Sequence, residues 1–305
     1  MSQPVDIAII GFGFMGATHA SVYRLLPAAR VVAIVDPRLE HTRAAIAARQ
    51  WEIPVFPDYA SAAANCKFSA VDICLPTDLH GDVARRAFAD GRHVFCEKPI
   101  ALTLDAAREM IAAAQGAQRQ LMIGHCIRFW PEYAELKRLV DSGAQGRLLS
   151  LSMSRRTGRP GYTAGNWVNQ PGRCLGAALD LHIHDTDFLS HLLGTPRAVV
   201  SQGIEDETGW SSITTQYHFG DLLVSAEAAW NYPPKWGFQM RFAAVFERAV
   251  LDFDSRNTPS LTLTVGDSSP APVTVPQTPG ALGGYYHELA YFVDRKSTRL
   301  NSSHL

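Results

Sequence analysis

The sequence predicts two domains: a doubly wound α/β domain with a parallel sheet, followed by an α+β domain with a largely antiparallel, open sheet. The chain has 305 residues, which is enough for about two domains. Up to residue 124, short apolar runs alternate with alanine-rich stretches of helical spacing, the pattern of βαβ units. From Arg147 onward, several strand-like runs follow one another with few helices between them, which favours an antiparallel sheet.

The expected strands of the first domain are residues 5–10, 30–35, 70–75, 93–96 and 121–124. Helices are expected between them, among others over residues 38–50 and 103–115. Thr103 is placed to cap the second of these helices with its hydroxyl group. Pro131 at a first helical position and Gly143 after a last one predict a further helix.

The second domain is expected to combine one long helix with successive strands. A strand over residues 148–154 precedes a loop rich in Gly, Pro and Trp, and an apolar helix is expected from about residue 175 to 193. Strands 211–219 and 222–230 flank Gly220-Asp221, which suits a two-residue hairpin turn, and strands 239–246 and 249–253 flank Glu247-Arg248. We therefore assign residues 1–124 to the first domain and 125–293 to the second.

The composition excludes several classes of function. Hydrophobic residues make up 47% of the chain, charged residues 19%, and the net charge is −1. No basic patch points to nucleic acid or a membrane surface as a partner. The five cysteines form no CxxC pair and favour free thiols in a reducing compartment. Because no signal peptide or membrane-spanning run is apparent either, a cytoplasmic protein is expected.

A glycine-rich string follows the first expected strand directly: Gly11-Phe12-Gly13-Phe14-Met15-Gly16. The string alone is a weak signal, but strand, loop, helix and a later acid together are typical of a Rossmann dinucleotide site. That acid is Asp36, which ends the next strand and suits the hydroxyl groups of an adenosine ribose. It favours NAD as the cofactor over NADP, whereas Arg38 could instead bind a 2′-phosphate.

Two further strings follow later strands of this domain. They are Pro76-Thr77-Asp78-Leu79-His80 and Glu97-Lys98-Pro99. With the glycine-rich loop, they resemble the Gfo/Idh/MocA oxidoreductases, and the resemblance runs from Val5 to about Val293. It implies that Lys98 reaches the nicotinamide and the reacting oxygen, and that other residues line the cofactor: Pro76, Thr77, His80 and Glu97. Asp78 stands where relatives often carry Asn. An ammonium group beside a reacting oxygen stabilises its developing charge, although a lysine in such a loop can also be merely exposed.

The expected helix of the second domain carries a polar stripe. Counted at 100° per residue, four side chains lie near one line on a helix that is apolar over most of its remaining circumference: Asp180, His184, Asp187 and His191. The resemblance implies a catalytic role for Asp180 and His184, in which the carboxylate orients the imidazole for acid–base work. The pair can also be purely structural. His182 and His184 could suggest a metal site, but they diverge on a helix, so no metal is expected.

Candidate substrate residues lie after the last strand of the first domain and in the loop 155–173. His125 and Arg128 resemble family residues near the nicotinamide and the substrate. Tyr162, Asn166 and Trp167 suit a sugar, whose ring stacks on aromatic side chains, although the tryptophan can equally be a hydrophobic plug.

These observations predict an NAD-dependent dehydrogenase or reductase that acts on a polyol, a sugar or a sugar-like ketone. A non-catalytic dinucleotide sensor and an NAD-assisted glycoside hydrolase are alternatives, since the family contains both a corepressor and such hydrolases. The resemblance and the apolar face of the second sheet also imply a homo-oligomer.

The last residues depart from the pattern of the rest. A helix expected from about Tyr285 resembles a family helix that further elements normally follow, and it is expected to stop at Val293. Residues 294–304 match, in order, the translation of a common sequencing adapter. The sequence therefore predicts a C-terminally truncated chain in which residues 294–305 pack against nothing and carry no function.

Overall fold

A computed structural model describes residues 3–161 and 163–297. The chain forms two compact units: Met1–Gly124 together with the residues from Tyr285, and His125–Gly284. The predicted architecture, a parallel Rossmann sheet followed by a largely antiparallel sheet, is confirmed. Each unit is built around its own sheet.

The first unit contains a six-stranded parallel sheet in the order β3-β2-β1-β4-β5-β6. Its strands are β1 (Val5–Ile10), β2 (Ala29–Val35), β3 (Val55–Phe56), β4 (Ala70–Ile73), β5 (His93–Glu97) and β6 (Leu121–Gly124). Its helices include α1 (Phe14–Tyr23), α2 (Leu39–Ala47), α3 (Tyr59–Asn65), α4 (His80–Ala89) and α5 (Leu104–Gly116). The strand order reverses between β1 and β4, which is where open sheets of this kind bind ligands. Thr103 caps α5 as predicted, because its hydroxyl accepts a 3.2 Å hydrogen bond from the Ala106 N–H.

The second unit contains two α-helices and an eight-stranded sheet. The helices are α6 (Pro131–Ser142), with Pro131 in its first turn and Gly143 at its C-cap, and α7 (Ile183–Leu193). The strands are β7 (Leu148–Gly158), β8 (Ala198–Asp206), β9 (Gly209–Phe219), β10 (Leu222–Tyr232), β11 (Gln239–Phe246), β12 (Ala249–Asp254), β13 (Leu261–Val265) and β14 (Ala271–Pro272). Both predicted hairpins are confirmed, since β9 pairs with β10 and β11 pairs with β12, each antiparallel. The one departure from antiparallel order among these strands is β7, which pairs with β10 in parallel.

The helix predicted from about residue 175 begins later and is not uniform. Leu175 and Gly176 have φ values of +62° and +75°, outside the helical region. Residues Ala178–His182 form a π-helical turn, in which the Ile183 N–H donates to the carbonyl oxygen of Ala178, five residues back. Helix α7 follows this turn. The sequence count at 100° per residue is therefore wrong for the turn that contains Asp180.

A C-terminal helix, α8 (Gly283–Ser297), packs from Tyr285 onward in the first unit. This corrects the assignment of residues 285–293 to the second domain. Leu289, Phe292 and Val293 are buried, and the Phe292 ring meets Phe95 of β5 edge-on at a centroid distance of 5.6 Å. The helix also continues past the expected break at Val293. Residues 298–305 lie outside the described residues, so the prediction that residues 294–305 carry no function stays a prediction.

None of the five cysteines forms a disulfide bond. Among the described residues, no helix has both the length and the apolar character needed to cross a membrane.

Candidate active site

The glycine-rich loop between β1 and α1 leaves room for a ligand. Gly11 has a φ of +93°, and a Cβ added there would lie 2.5 Å from the Cys74 carbonyl oxygen, while a Cβ on Gly16 would overlap the Gly11 carbonyl oxygen. Glycine is therefore required at both positions. A Cβ on Gly13, in contrast, would meet nothing within 4 Å. Because Gly13 supplies no capping side chain, the N–H groups of the first turn of α1 suit a pyrophosphate.

Asp36, at the carboxyl end of β2, already accepts several hydrogen bonds. Its Oδ2 accepts from the Phe12 N–H at 2.9 Å and from the Arg38 guanidinium at 2.8 Å. Its Oδ1 accepts from the Arg38 N–H and from Arg38 Nε at 2.9 and 3.0 Å. Burial opposes ionisation of this carboxyl group, but the bonds from Arg38 and Phe12 lower the pKa of Asp36 below its usual value. A ribose that binds Asp36 must therefore compete with Arg38. Phe12 is buried, whereas Phe14 is exposed and Met15 is partly buried.

The loops after β4 and β5 are joined through His80. Its Nδ1 lies 3.0 Å from the Pro99 carbonyl oxygen and its Nε2 lies 2.9 Å from that of Leu75. Burial lowers the pKa of His80, although the two carbonyl oxygens act in the opposite direction. Thr77 is buried, and Pro76 precedes the short 3-10 turn that leads into α4. His80 thus holds together the two loops that contain Pro76, Thr77 and Lys98.

Lys98 follows directly on β5 and is partly buried. Its backbone N–H donates a 3.2 Å hydrogen bond to Oε2 of the preceding Glu97. The other carboxylate oxygen of Glu97, Oε1, lies 3.2 Å from Nε2 of His19. The Glu97 side chain therefore points into the protein rather than toward solvent. It also holds the backbone at the start of the Lys98 loop.

In the second unit, α7 brings Asp187 to the two expected substrate residues. Arg128 Nε and Nη2 donate to the Asp187 carboxylate at 2.7 and 2.5 Å, and His125 Nε2 lies 3.5 Å from Asp187 Oδ1. The guanidinium is thus paired through two hydrogen bonds, a geometry that fixes its plane. Sequence reasoning placed Asp187 on the polar stripe but did not assign it a partner.

The two polar faces of the segment 178–193 have different surroundings. Asp180 and His184 are partly buried. His182 is buried on the sheet side, where its Nε2 lies 2.9 Å from Thr215 Oγ1 and 3.2 Å from the Tyr217 hydroxyl. Burial lowers the pKa of His182 to about 4, so its imidazole is neutral near pH 7. The divergence expected for His182 and His184 is therefore consistent with the contacts of His182.

The loop after β7 contains the remaining candidates. Asn166 is exposed and has a φ of +53°, and its side-chain oxygen accepts a 2.6 Å hydrogen bond from Asn169. Trp167 is partly buried and packs against a hydrophobic cluster that includes Val168 and Trp230. These contacts favour the plug interpretation for Trp167. Tyr162 lies outside the described residues.

Sequence reasoning missed two buried ionic groups. Arg155 on β7 donates to Asp185 on α7 at 3.1 Å, and both side chains are almost fully buried. In the first unit, Glu288 of α8 lies beside His19 and Glu97. Neither partnership has a local sequence signal. The partners are 30 residues apart in one case, and in the other Glu288 lies near the C-terminal end of the chain whereas His19 and Glu97 lie in its first third.

Comparison with known proteins accounts for both units. Residues 5–125 match the profile described as "Oxidoreductase family, NAD-binding Rossmann fold", and residues 133–252 match the "GFO/IDH/MocA C-terminal domain". This chain belongs to the Gfo/Idh/MocA family. The predicted resemblance is thereby confirmed.

Individual relatives are more distant. The chain is 30% identical to inositol 2-dehydrogenase of Streptomyces avermitilis over 95% of this chain and 79% of that protein. It is 28% identical to the uncharacterized oxidoreductase YrbE of Bacillus subtilis, but the match covers 64% of this chain and only 55% of YrbE. A levoglucosan dehydrogenase solved with NADH and levoglucosan superposes with a TM-score of 0.85 over 97% of this chain and 90% of that chain. At 20% identity, this likeness shows the fold alone.

Proposed function

We propose that this Gfo/Idh/MocA protein is an NAD-dependent dehydrogenase or reductase that acts on a polyol, a sugar or a sugar-like ketone. The observation that carries the proposal is the cofactor loop at the β1–α1 turn with Asp36 at the end of the adjacent strand. The retention of Lys98, Asp180 and His184 supports a catalytic protein over a sensor. The relative named inositol 2-dehydrogenase supports the substrate class.

The residues of the first unit fit a dinucleotide. The open position at Gly13 and the uncapped first turn of α1 suit the pyrophosphate, and the Asp36 carboxylate suits the ribose hydroxyls. Other residues would line the cofactor: Pro76, Thr77, His80 and Glu97. When bound, the nicotinamide supplies the hydride acceptor or donor, and the protein supplies binding and electrostatics.

Three side chains would carry the chemistry of the substrate oxygen. Lys98 stabilises negative charge on that oxygen as the C–H bond breaks. His184 takes the hydroxyl proton during oxidation and returns it during reduction, and Asp180 orients the imidazole. His184 would thus hold the proton, and a bound nicotinamide would supply the acceptor for the hydride, so that charge and atoms balance.

The pairing of Arg128 favours an uncharged substrate. Its guanidinium is neutralised by two hydrogen bonds to Asp187, so recognition of a substrate carboxylate would require breaking that pair. Substrate hydroxyl groups, in contrast, are uncharged and can form hydrogen bonds with Arg128, Asp187 and His125 while the Arg128–Asp187 pair stays intact. Polyols and neutral sugars are accordingly favoured over sugar acids.

A dehydrogenase assay tests the proposal. Purified protein is incubated with NAD or NADP and a panel of inositols, neutral sugars and matched sugar acids, and the absorbance of reduced nicotinamide is followed. We expect reduction of NAD with a neutral member of the panel. Glycoside cleavage without net cofactor reduction would instead indicate the hydrolase, and cofactor binding with no turnover on any member would indicate the sensor.

Cofactor choice depends on Asp36 and Arg38. We expect NAD to bind more tightly than NADP, and Asp36→Ser to narrow the difference by about tenfold, because it removes acceptors for the ribose and releases Arg38 toward a phosphate. Arg38→Ala is the matched variant: it should weaken NADP binding and leave NAD binding equal or tighter, since Asp36 loses its competing donor. Fluorescence titration measures the six affinities, those of the wild type and the two variants for NAD and for NADP. A wild-type preference for NADP would make Arg38 the deciding residue and the NAD assignment wrong.

We further propose that the protein is a cytoplasmic homo-oligomer. The strand register places Val200, Ile204 and Leu223 on the same face of the eight-stranded sheet, and their side chains are exposed. Exposed apolar side chains on one sheet face favour burial against another subunit. The five thiols without disulfides suit a reducing compartment.

A further inference from the structure

The first unit contains a buried cluster of ionisable side chains contributed by α1, β4, β5 and α8. His19 Nδ1 lies 2.9 Å from Asp72 Oδ2, and His19 Nε2 lies 3.2 Å from Glu97 Oε1. One ring nitrogen of His19, one carboxyl oxygen of Glu97 and one carboxyl oxygen of Glu288 lie within 4.8 Å of one another. Three carboxyl groups thus surround a single imidazole, and His19, Asp72 and Glu288 are fully buried.

Glu288 is the member whose bonding is incomplete. Both of its carboxyl oxygens are buried without a hydrogen-bond partner among the described residues, and the same holds for Glu97 Oε1. A carboxylate in this position would lack both solvent and donors, which is among the costliest arrangements for a buried charge. A neutral carboxylic acid, in contrast, carries a proton that the Glu97 carboxylate can accept, and one carboxyl oxygen of each residue lies within 4.8 Å of the other.

We propose that Glu288 is held as a neutral carboxylic acid that donates a hydrogen bond to the Glu97 carboxylate, and that it thereby positions Lys98. The chain of contacts is short. Glu97 Oε2 accepts the Lys98 N–H at 3.2 Å, so the rotamer of Glu97 fixes the first peptide of the Lys98 loop. Glu288 and His19 fix that rotamer from the buried side. Glu288 is a positioning residue, and the inference rests on the proposed function only for its effect on turnover.

The neighbours of Glu288 favour the neutral form. Burial raises the pKa of Glu288, the Glu97 and Asp72 carboxylates raise it further, and His19 opposes them. Among the described residues, the other titratable groups that face the cluster include Tyr23 on α1, Cys74 on β4, Cys96 on β5 and Tyr285 on α8. Asp72 and Glu97 lie at the two ring nitrogens of His19. Burial lowers the pKa of His19, but Asp72 and Cys74 raise it by more, so the net shift is upward. His19 can therefore remain the cation of the cluster while Glu288 stays uncharged.

Glu288 lies on α8, so the C-terminal helix contributes to the buried ionisable cluster of the first unit. Tyr285 of the same helix lies with its ring centroid 6.3 Å from that of His19, and Leu289 and Phe292 are fully buried. The buried apolar residues of α8 therefore hold the backbone of Glu288 in place.

Substitution tests the inference at two levels. Glu288→Gln keeps the shape and a donor, whereas Glu288→Ala removes both. We expect Glu288→Gln to keep kcat within about threefold and Glu288→Ala to lower kcat at least about tenfold with little change in KM, because Lys98 is misplaced rather than lost. Equal losses in both variants, with unchanged unfolding temperatures, would overturn the positioning role. Glu109→Gln, on an exposed side chain, is the matched control.

A second measurement does not require turnover. The Glu288 acid is protonated in the folded chain and ionises in the unfolded chain above about pH 4.3, the ordinary pKa of glutamate. The free energy of unfolding of the parent should therefore fall with rising pH relative to Glu288→Gln, and not relative to Glu109→Gln. Infrared spectra of protein labelled with 13C-glutamate should show a neutral acid carbonyl at neutral pH that Glu288→Gln removes. Absence of that band, or a stoichiometric metal ion in the purified protein that Glu288→Gln releases, would overturn the assignment of a neutral acid.

Discussion

Lys98→Met is expected to lower turnover by at least about a hundredfold. Methionine keeps the length of the side chain but removes the ammonium group, so the charge that develops on the substrate oxygen loses its electrostatic partner. Removal of one such group in other enzymes costs about 10² to 10³ in kcat. Lys98 also lies at the end of β5, where the cofactor is expected, so NAD binding should weaken as well.

Two variants give this result its meaning. His184→Ala should lower turnover by a similar factor of at least about a hundred, but it should change NAD affinity less than Lys98→Met does, because the role proposed for His184 concerns the substrate proton. Lys67→Met, on an exposed lysine of the same unit, should leave both quantities unchanged. Steady-state rates and fluorescence titration of NAD separate the two effects. Normal turnover in Lys98→Met would remove Lys98 from the chemistry, and normal turnover in His184→Ala would make the Asp180–His184 pair structural.

Arg155→Met is expected to destabilise the second unit by about 3–5 kcal/mol. Arg155 and Asp185 form a salt bridge of 3.1 Å in which both side chains are at most 3% exposed. Burial raises the pKa of Asp185, and the Arg155 guanidinium opposes that shift. Without the guanidinium, the Asp185 carboxyl group would remain buried without its ionic partner, either charged and unpaired or forced to take up a proton. Urea unfolding, followed by fluorescence, measures the loss.

The double variant Arg155→Met/Asp185→Leu separates the pair from its burial. It should recover most of the lost free energy of unfolding, because replacing both partners by apolar groups removes the unpaired charge. Arg138→Met provides the surface control: Arg138 pairs with Glu135 at 2.7 Å but is 60% exposed, so its loss should cost under about 1 kcal/mol. If Arg155→Met cost no more than Arg138→Met, the buried pair would not be a stabilising element of this unit.

The first sheet was predictable because its strands are short, apolar and separated by helices of ordinary length. The sequence missed β3, which has only two residues. In the second unit it missed β8, β13 and the two-residue β14. The side chains of β8 are almost all exposed, so they show no alternation of buried and exposed positions. Pattern reasoning detects strands through burial on one face, and β8 lacks that signal.

The candidate site was predictable only where a motif has local geometry. The glycine loop, Asp36 and the Glu97-Lys98 string follow their strands directly, so the strand assignment placed them. Asp187 and Glu288 acquire their partners through tertiary contacts, and no spacing in the sequence indicates those. The position predicted for Asp180 at 100° per residue was wrong because a π-helical turn contains more residues than an α-helical turn. Nothing in the sequence of residues 178–182 indicates that turn.

Transfer of deuterium from substrate to cofactor tests the central claim most directly. A neutral polyol that supports NAD reduction is prepared with deuterium on its carbinol carbon and incubated with the protein and NAD, and the reduced cofactor is examined by NMR. The proposed function predicts deuterium at the reacting carbon of the nicotinamide, in an amount equal to the ketone formed, and its loss in Lys98→Met. Ketone formation without deuterium in the nicotinamide, or no reduction of NAD by any polyol or sugar tested, would contradict it.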